Sequence, residues 1–164
     1  MSNPLSAAEE ALAHCHIQSL LSLYYQALDV GDFDRLEREV MAEDATWHVV
    51  QLATTGRVEA SASGRTEVIA WFKKMLSGDV TMSEGTVRHF LNTHVIRVEG
   101  DRAFTTSHLL AASTTTMQTL ANGFAEAEHV RTKHGWRIRS YKVTEQITDA
   151  DMEAFKATFG LEFQ

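Results

Sequence analysis

From Val87 onward the chain carries four long stretches of strand character in succession, joined by turns of only a few residues. They are Val87–Glu99, Arg102–Met117, Leu120–Thr132 and Gly135–Gln146, each with β-branched or aromatic side chains. Glu99-Gly100-Asp101 and Lys133-His134-Gly135 mark the first and last turns, and a less defined bend falls near Gln118. Turns this short cannot carry the chain back across a sheet. Neighbouring strands must therefore run antiparallel, as a meander.

The first half reads differently. Ser6-Ala7-Ala8-Glu9 has the form of a capping box, and Leu12, Ile17, Leu20, Leu21, Tyr24 and Leu28 follow at helical spacing, with His16 on the same stripe. Gly31 ends that helix, and Asp32 caps a short second one from Phe33 to about Met41. Ala45–Val50 reads as a strand, Gln51 to Ser63 as holding a short hairpin, and Thr66 to Leu76 as a third helix with Val68, Ile69, Phe72, Met75 and Leu76 on its apolar face. Thr148 to Asp151 caps a terminal helix ending near Gly160. Helices first and long strands after give α+β: a curved antiparallel sheet wrapped round N-terminal helices, a cone with one open mouth. With one proline and no repeat, 1–164 reads as a single domain.

A composition of 44% hydrophobic and 23% charged residues suits a globular chain of 164 residues. The net charge of −7, with 15 scattered basic residues, argues against a nucleic-acid or anionic-membrane partner. One cysteine, Cys15, the lack of a leader and the lack of a spanning run give an expectation of a cytoplasmic protein without a disulfide. Cys15 itself reads as packing. His14-Cys15-His16 is not a metal clip, since residues two apart do not share a helix face. His48, His89, His108 and His129 have no ligand spacing, so no metal is expected. Gly56 and Gly64 make no phosphate loop, Arg65 reads as structural, and Glu37, Arg38 and Glu39 as a solvated face.

Five segments, ALDVGDFDRL at 27–36, AEDATW at 42–47, SGRTEVIAWF at 63–72, RHFLNTHVIRVEGDRA at 88–103 and HGWRIRSYKV at 134–143, together resemble the nuclear-transport-factor-two-like superfamily over nearly the whole chain. The resemblance is to the polyketide-cyclase-like (SnoaL-like) branch with scytalone dehydratase, bile-acid 7-alpha-dehydratase and hexachlorocyclohexane dehydrochlorinase. That branch commonly uses an Asp–His dyad, whose positions here are Asp29 and His89. Independently of any family, an inward-pointing Asp29 needs a partner, and a histidine across the cone would supply one with a poised ring nitrogen. The alternative is that Asp29 merely caps the turn before Gly31 and His89 is a satisfied sheet histidine. The resemblance also implies Tyr24 as a donor to a developing oxyanion, with core packing as its alternative and Tyr25 as a substitute or packing residue. By the same resemblance His108 would hold a catalytic water, or else bond a threonine hydroxyl. Trp47 would line the pocket or fill core, with Ala127 and His129 as further substrate-contacting positions.

Two departures bear on the chemistry. The ketosteroid isomerases place their proton-shuttling carboxylate where this chain has Val49, and a second oxyanion donor where it has Ala127. The Asp–Arg–Asp set of related epoxide hydrolases has no match. The first reading is thus a cofactor-independent, dehydratase-like lyase acting on a small, apolar, cyclic substrate. In it His89 removes a proton beside a carbonyl, Asp29 orients the imidazole, Tyr24 holds the enolate oxygen, and protonated His89 serves the departing hydroxyl. An isomerase or aldol-type cyclase could use the same base, and a non-catalytic ligand-binding or subunit-interaction module could use the same fold. A homodimer or homotrimer is expected from the resemblance. The segment Thr148–Gln164 offers Met152, Phe155, Phe159, Leu161 and Phe163, more apolar surface than a free tail should carry. It either covers a sheet edge, docks on another subunit, or closes the mouth of the cone.

Overall fold

A computed structural model describes residues 5–77 and 87–161. Phe163 lies outside them. The N-terminal helix α1 spans Ala7–Val30 and begins with the full capping box: the Ser6 hydroxyl accepts from the Glu9 N–H, and the Glu9 carboxylate accepts from the Ser6 N–H. Gly31 closes it in the left-handed conformation at φ 69°, its N–H donating to Ala27 and Leu28 carbonyls. A single turn, α2 (Phe33–Arg35), runs into a π-helical turn at Leu36–Val40, so the second helix keeps the extent expected from sequence but its later part is wound more widely. Then come β1 (Met41–Ala53), β2 (Gly56–Ser63) and α3 (Arg65–Ser77). The meander β3 (Val87–Glu99), β4 (Arg102–Ser113), β5 (Thr119–Thr132) and β6 (Gly135–Ile147) follows, and α4 (Asp149–Phe159) ends the described chain.

The six strands form one sheet in the order β2-β1-β6-β5-β4-β3. The meander is antiparallel throughout, as its short turns require. The pairing of β1 with β6 is parallel, with Trp47 opposite Tyr141, Val49 opposite Val143 and Gln51 opposite Glu145. The wholly antiparallel sheet expected from sequence is therefore corrected at this one seam, where strands far apart in the chain meet and no turn fixes their sense.

Helix α1 lies in the concave face of the sheet. It buries Ala13, Ile17, Leu20, Leu21, Tyr24 and Leu28 against inward-facing residues of the strands. The true stripe starts at Ala13, one position from the expected start, so Leu12 is 56% exposed and His16 and Cys15 face solvent rather than packing. Alternation along β4 sends Ala103, Thr105, Ser107, Leu109 and Ala111 inward and the residues between them outward. On β3 a register shift between Asn92 and Val95, with Thr93 at φ 54°, inserts an extra residue and turns His94 inward.

The close approach of β5 to β6 depends on Gly123 of β5. A Cβ at that position would lie 1.9 Å from the Thr144 carbonyl oxygen and 2.7 Å from the Cα of Glu145, both on β6. Those are backbone atoms, so no side chain can swing away to make room. Gly123→Ala is expected to cost about 1–3 kcal/mol or more through overpacking. Thermal melting checks this: an unchanged Tm would mean that β5 and β6 do not approach this closely.

Candidate functional site

The end of α1 delivers Asp29 to the start of β3. Its Oδ1 lies 2.5 Å from Nδ1 of His89, and its Oδ2 accepts from the His89 backbone N–H at 3.0 Å. Both side chains are only 6% exposed. The adjacent Arg88 donates through Nη1 to the Asp29 carbonyl oxygen at 3.5 Å, tying the same two chain segments together. The Tyr25 ring stacks on the imidazole, with centroids 4.7 Å apart and planes 25° from parallel. The Tyr25 hydroxyl is in turn hydrogen-bonded to that of Tyr141 at 2.8 Å. With Nδ1 held by Asp29 and one ring face covered by Tyr25, Nε2 is the nitrogen left to meet a ligand.

His89 borders a narrow cavity of about 20 Å³ inside the cone, walled also by Tyr24, Trp47, Trp71, Glu145 and Phe155. That volume suits about one water molecule. The Trp47 indole N–H donates to the Tyr24 hydroxyl oxygen at 3.0 Å. Burial pushes the Tyr24 phenol well above its ordinary value, with the neighbouring Tyr141 reinforcing the shift. Tyr24 thus stays protonated, its oxygen already accepting one bond and its proton available to a ligand oxygen. On its other side the Asp29–His89 pair borders a groove of about 420 Å³ between α1 and β3, where Gln26, Arg88 and His94 also lie.

Helix α4 contributes one wall of the inner cavity. Phe155 is fully buried in its wall, and Phe159 stacks on Trp71 at 4.6 Å, with Trp71 4.3 Å from Trp47. At its N-terminus the Asp149 carboxylate accepts from the Thr54 hydroxyl, from the Thr55 N–H at 2.9 Å and from the Thr55 hydroxyl at 3.0 Å. This latches α4 to the β1–β2 turn.

Three residues expected at the site lie elsewhere. His108 falls on the outward face of β4 and is exposed, because the pleat points Ser107 and Leu109 inward instead. His129 is fully buried, with Nε2 bonded to the Thr105 hydroxyl at 3.0 Å, and burial lowers its pKa to about 4. It is a core histidine of the kind expected for His108. Ala127 faces the interior opposite Tyr141, but the cavity is reached one inward position further along β6, at Val143 and Glu145. His48 bonds Glu59 at 2.9 Å beside a different hollow, so the four histidines weighed as metal ligands do not converge.

The residues that sequence reasoning missed are Glu145, Gln51 and His94. Glu145 is 6% exposed in the cavity wall and accepts from Gln51 Nε2 at 3.0 Å, while Gln51 Oε1 is buried without a hydrogen-bond partner. Burial raises the Glu145 carboxyl above its usual range, opposed by the Gln51 bond and by nearby His89. The signal was present: Glu145 alternates in phase with Tyr141 and Val143. His94 bonds the buried Ser107 hydroxyl at 2.7 Å, and only the bulge, which no glycine marks, brings it inward.

The comparisons with known proteins agree with this architecture. A cystatin-like, nuclear-transport-factor-two-like protein from Novosphingobium aromaticivorans superposes with a TM-score of 0.66 at 25% identity, covering 96% of this chain and 95% of the other. A scytalone dehydratase-like protein from the same organism gives 0.66 at 16% identity, covering 85% and 88%. ActVI-ORFA from Streptomyces coelicolor gives 0.62 at 17%, covering 80% and 96%. No curated protein matches the sequence. The SnoaL-like domain family model matches residues 9–142, from α1 into the last strand. The chain belongs to the SnoaL-like domain family of the nuclear-transport-factor-two-like superfamily.

Proposed function

We propose that this protein is a cofactor-independent lyase of the dehydratase type, acting on a small, apolar, cyclic substrate that carries a carbonyl. The observation that carries the reading is the buried Asp29–His89 pair, in which one carboxylate takes both the side-chain and backbone N–H of the histidine. In this reading His89 Nε2 removes a proton from the carbon beside the carbonyl. Asp29 fixes the tautomer and stabilises the imidazolium that forms, and Tyr24 donates to the enolate oxygen. The aromatic walls, Trp47 and Trp71 with Tyr25 behind the imidazole, supply an apolar bed for the ring. The SnoaL-like match and the scytalone dehydratase-like neighbour support a small-molecule-binding enzyme of this kind.

The base can be tested without knowing the natural substrate. Cyclohexanone incubated in D2O should exchange its α-protons faster with the protein than without it, as followed by proton NMR. His89→Ala should abolish the enhancement, a loss on the order of 10²–10⁴-fold for a positioned base, with the fold retained. Asp29→Asn should lower it as well. Equal exchange in wild type and His89→Ala would remove His89 from the chemistry and favour a binding module.

A cavity of about 20 Å³ cannot admit a ring, so in this reading α4 acts as a cover that moves to open it. The Asp149 latch sets how easily it does. The hydrogen bonds from Thr54, and then those from Thr55, hold its carboxyl below the ordinary value of 3.8. A depressed folded-state pKa contributes stability that is present above the unfolded value and lost as pH falls through the folded one. Asp149→Ala should therefore speed amide exchange in α4 at neutral pH, whereas wild type should loosen only below the ordinary aspartate range. Unchanged α4 exchange in the variant would mean that Phe155 and Phe159 alone hold the cover.

A further inference from the structure

Among the described residues, Glu145 is the one carboxyl in the cavity wall, and the Asp29–His89 chemistry leaves it without a task. It sits on β6 and His89 on β3, the far edge of the same sheet, yet both face one cavity of about 20 Å³. Gln51, its register partner on the parallel strand β1, donates to Oε1 and fixes the carboxyl plane. No cation is bonded to Glu145 among the described residues. The groups facing it are Gln51 from β1, Tyr24 and Tyr25 from α1, His89 from β3 and Tyr141 of its own strand. Tyr24, Tyr25 and Tyr141 are themselves buried phenols whose ionisation burial suppresses. A buried carboxyl with one neutral hydrogen-bond donor is costly as an anion and cheap as an acid.

We propose that Glu145 is a second catalytic group, the acid that protonates the departing oxygen; the inference rests on the dehydratase reading above. The step balances as a two-group elimination. His89 Nε2 takes the α-proton, and the C–H electron pair becomes the new C=C π bond. The β C–O bond breaks with its pair on oxygen, and the Glu145 O–H protonates that oxygen, releasing water. His89 is left as imidazolium and Glu145 as carboxylate, and one proton transfer from the first to the second through a water restores both. Division of labour between a base and an acid replaces return of the same proton by His89. It also explains why an apolar, aromatic cavity keeps a carboxyl at all.

The test separates the two proton transfers. Cyclohexanone α-proton exchange in D2O needs the base alone, while dehydration of β-hydroxycyclohexanone, followed by enone absorbance, needs the acid as well. Glu145→Gln keeps the shape of the side chain and can still accept from Gln51. It should retain exchange and lose dehydration on the order of 10²–10⁴-fold, whereas His89→Ala should lose both. Infrared difference spectra of wild type against Glu145→Gln at neutral pH should show a protonated-carboxyl C=O band in wild type. Gln51→Met, which keeps the acid but removes its hydrogen bond, is a second variant: the band should shift and dehydration should fall with exchange kept. Dehydration at the wild-type rate in Glu145→Gln, loss of exchange together with dehydration in that variant, or absence of the carboxyl band would overturn the assignment of Glu145. A wild type that catalyses neither exchange nor dehydration would instead overturn the dehydratase reading on which it rests.

Discussion

A carboxylate at the C-terminal end of a helix sits at the negative pole of the helix dipole, and α1 has no basic residue in its last turn to offset it. Asp29 occupies that position nearly out of water. What makes it tenable is His89, which brings a ring nitrogen to 2.5 Å and a backbone N–H to 3.0 Å. The same contact joins the end of α1 to the start of β3, and Arg88 adds a bond to the Asp29 carbonyl. The interaction that fixes how the helix sits in the cone is therefore the one that aims the imidazole. A local arrangement that is unfavourable in isolation and compensated by one specific partner is what a functional site looks like from the side of stability.

The rest of the cone serves to enclose that imidazole on its inner side in a narrow space. Gly123 lets β5 and β6 come close together beside Glu145. The parallel seam between β1 and β6 sets Gln51 against Glu145 and Trp47 against Tyr141. Trp47 then reaches Tyr24 on α1, so strand, helix and aromatic lining form one connected hydrogen-bonded unit. Helix α4, latched by Asp149, completes the enclosure with Phe155. Buried among these walls, each polar contact inside is electrostatically stronger than it would be at a surface.

Much of this was legible in the sequence because it is written in local chemistry. The capping box at Ser6, the stop at Gly31, the meander and the cap at Thr148 all follow from residues near in the chain, and they stand in the structure. Asp29 and His89 could be paired from the resemblance, which carries long-range information that spacing does not. The misplacements have equally specific causes. His108 and Leu109 differ by one residue, and a one-residue error in strand phase moves a side chain through the sheet. Leu12 sits one position off the stripe of α1. Glu145 was passed over because a single acidic residue in a strand looks like an outward charge until the neighbouring Tyr141 and Val143 are seen to face inward. The parallel seam had no turn to announce it.

The central claim is that Asp29 holds His89 with Nδ1 bearing the proton and Nε2 bare toward the cavity. Nitrogen-15 NMR of the imidazole, at a pH where the ring is neutral, reads this tautomer directly. The account predicts an Nδ1–H signal for His89 that shifts or is lost in Asp29→Asn, with Nε2 unprotonated in wild type. An Nε2–H tautomer in wild type, or a His89 signal indifferent to Asp29→Asn, would contradict it.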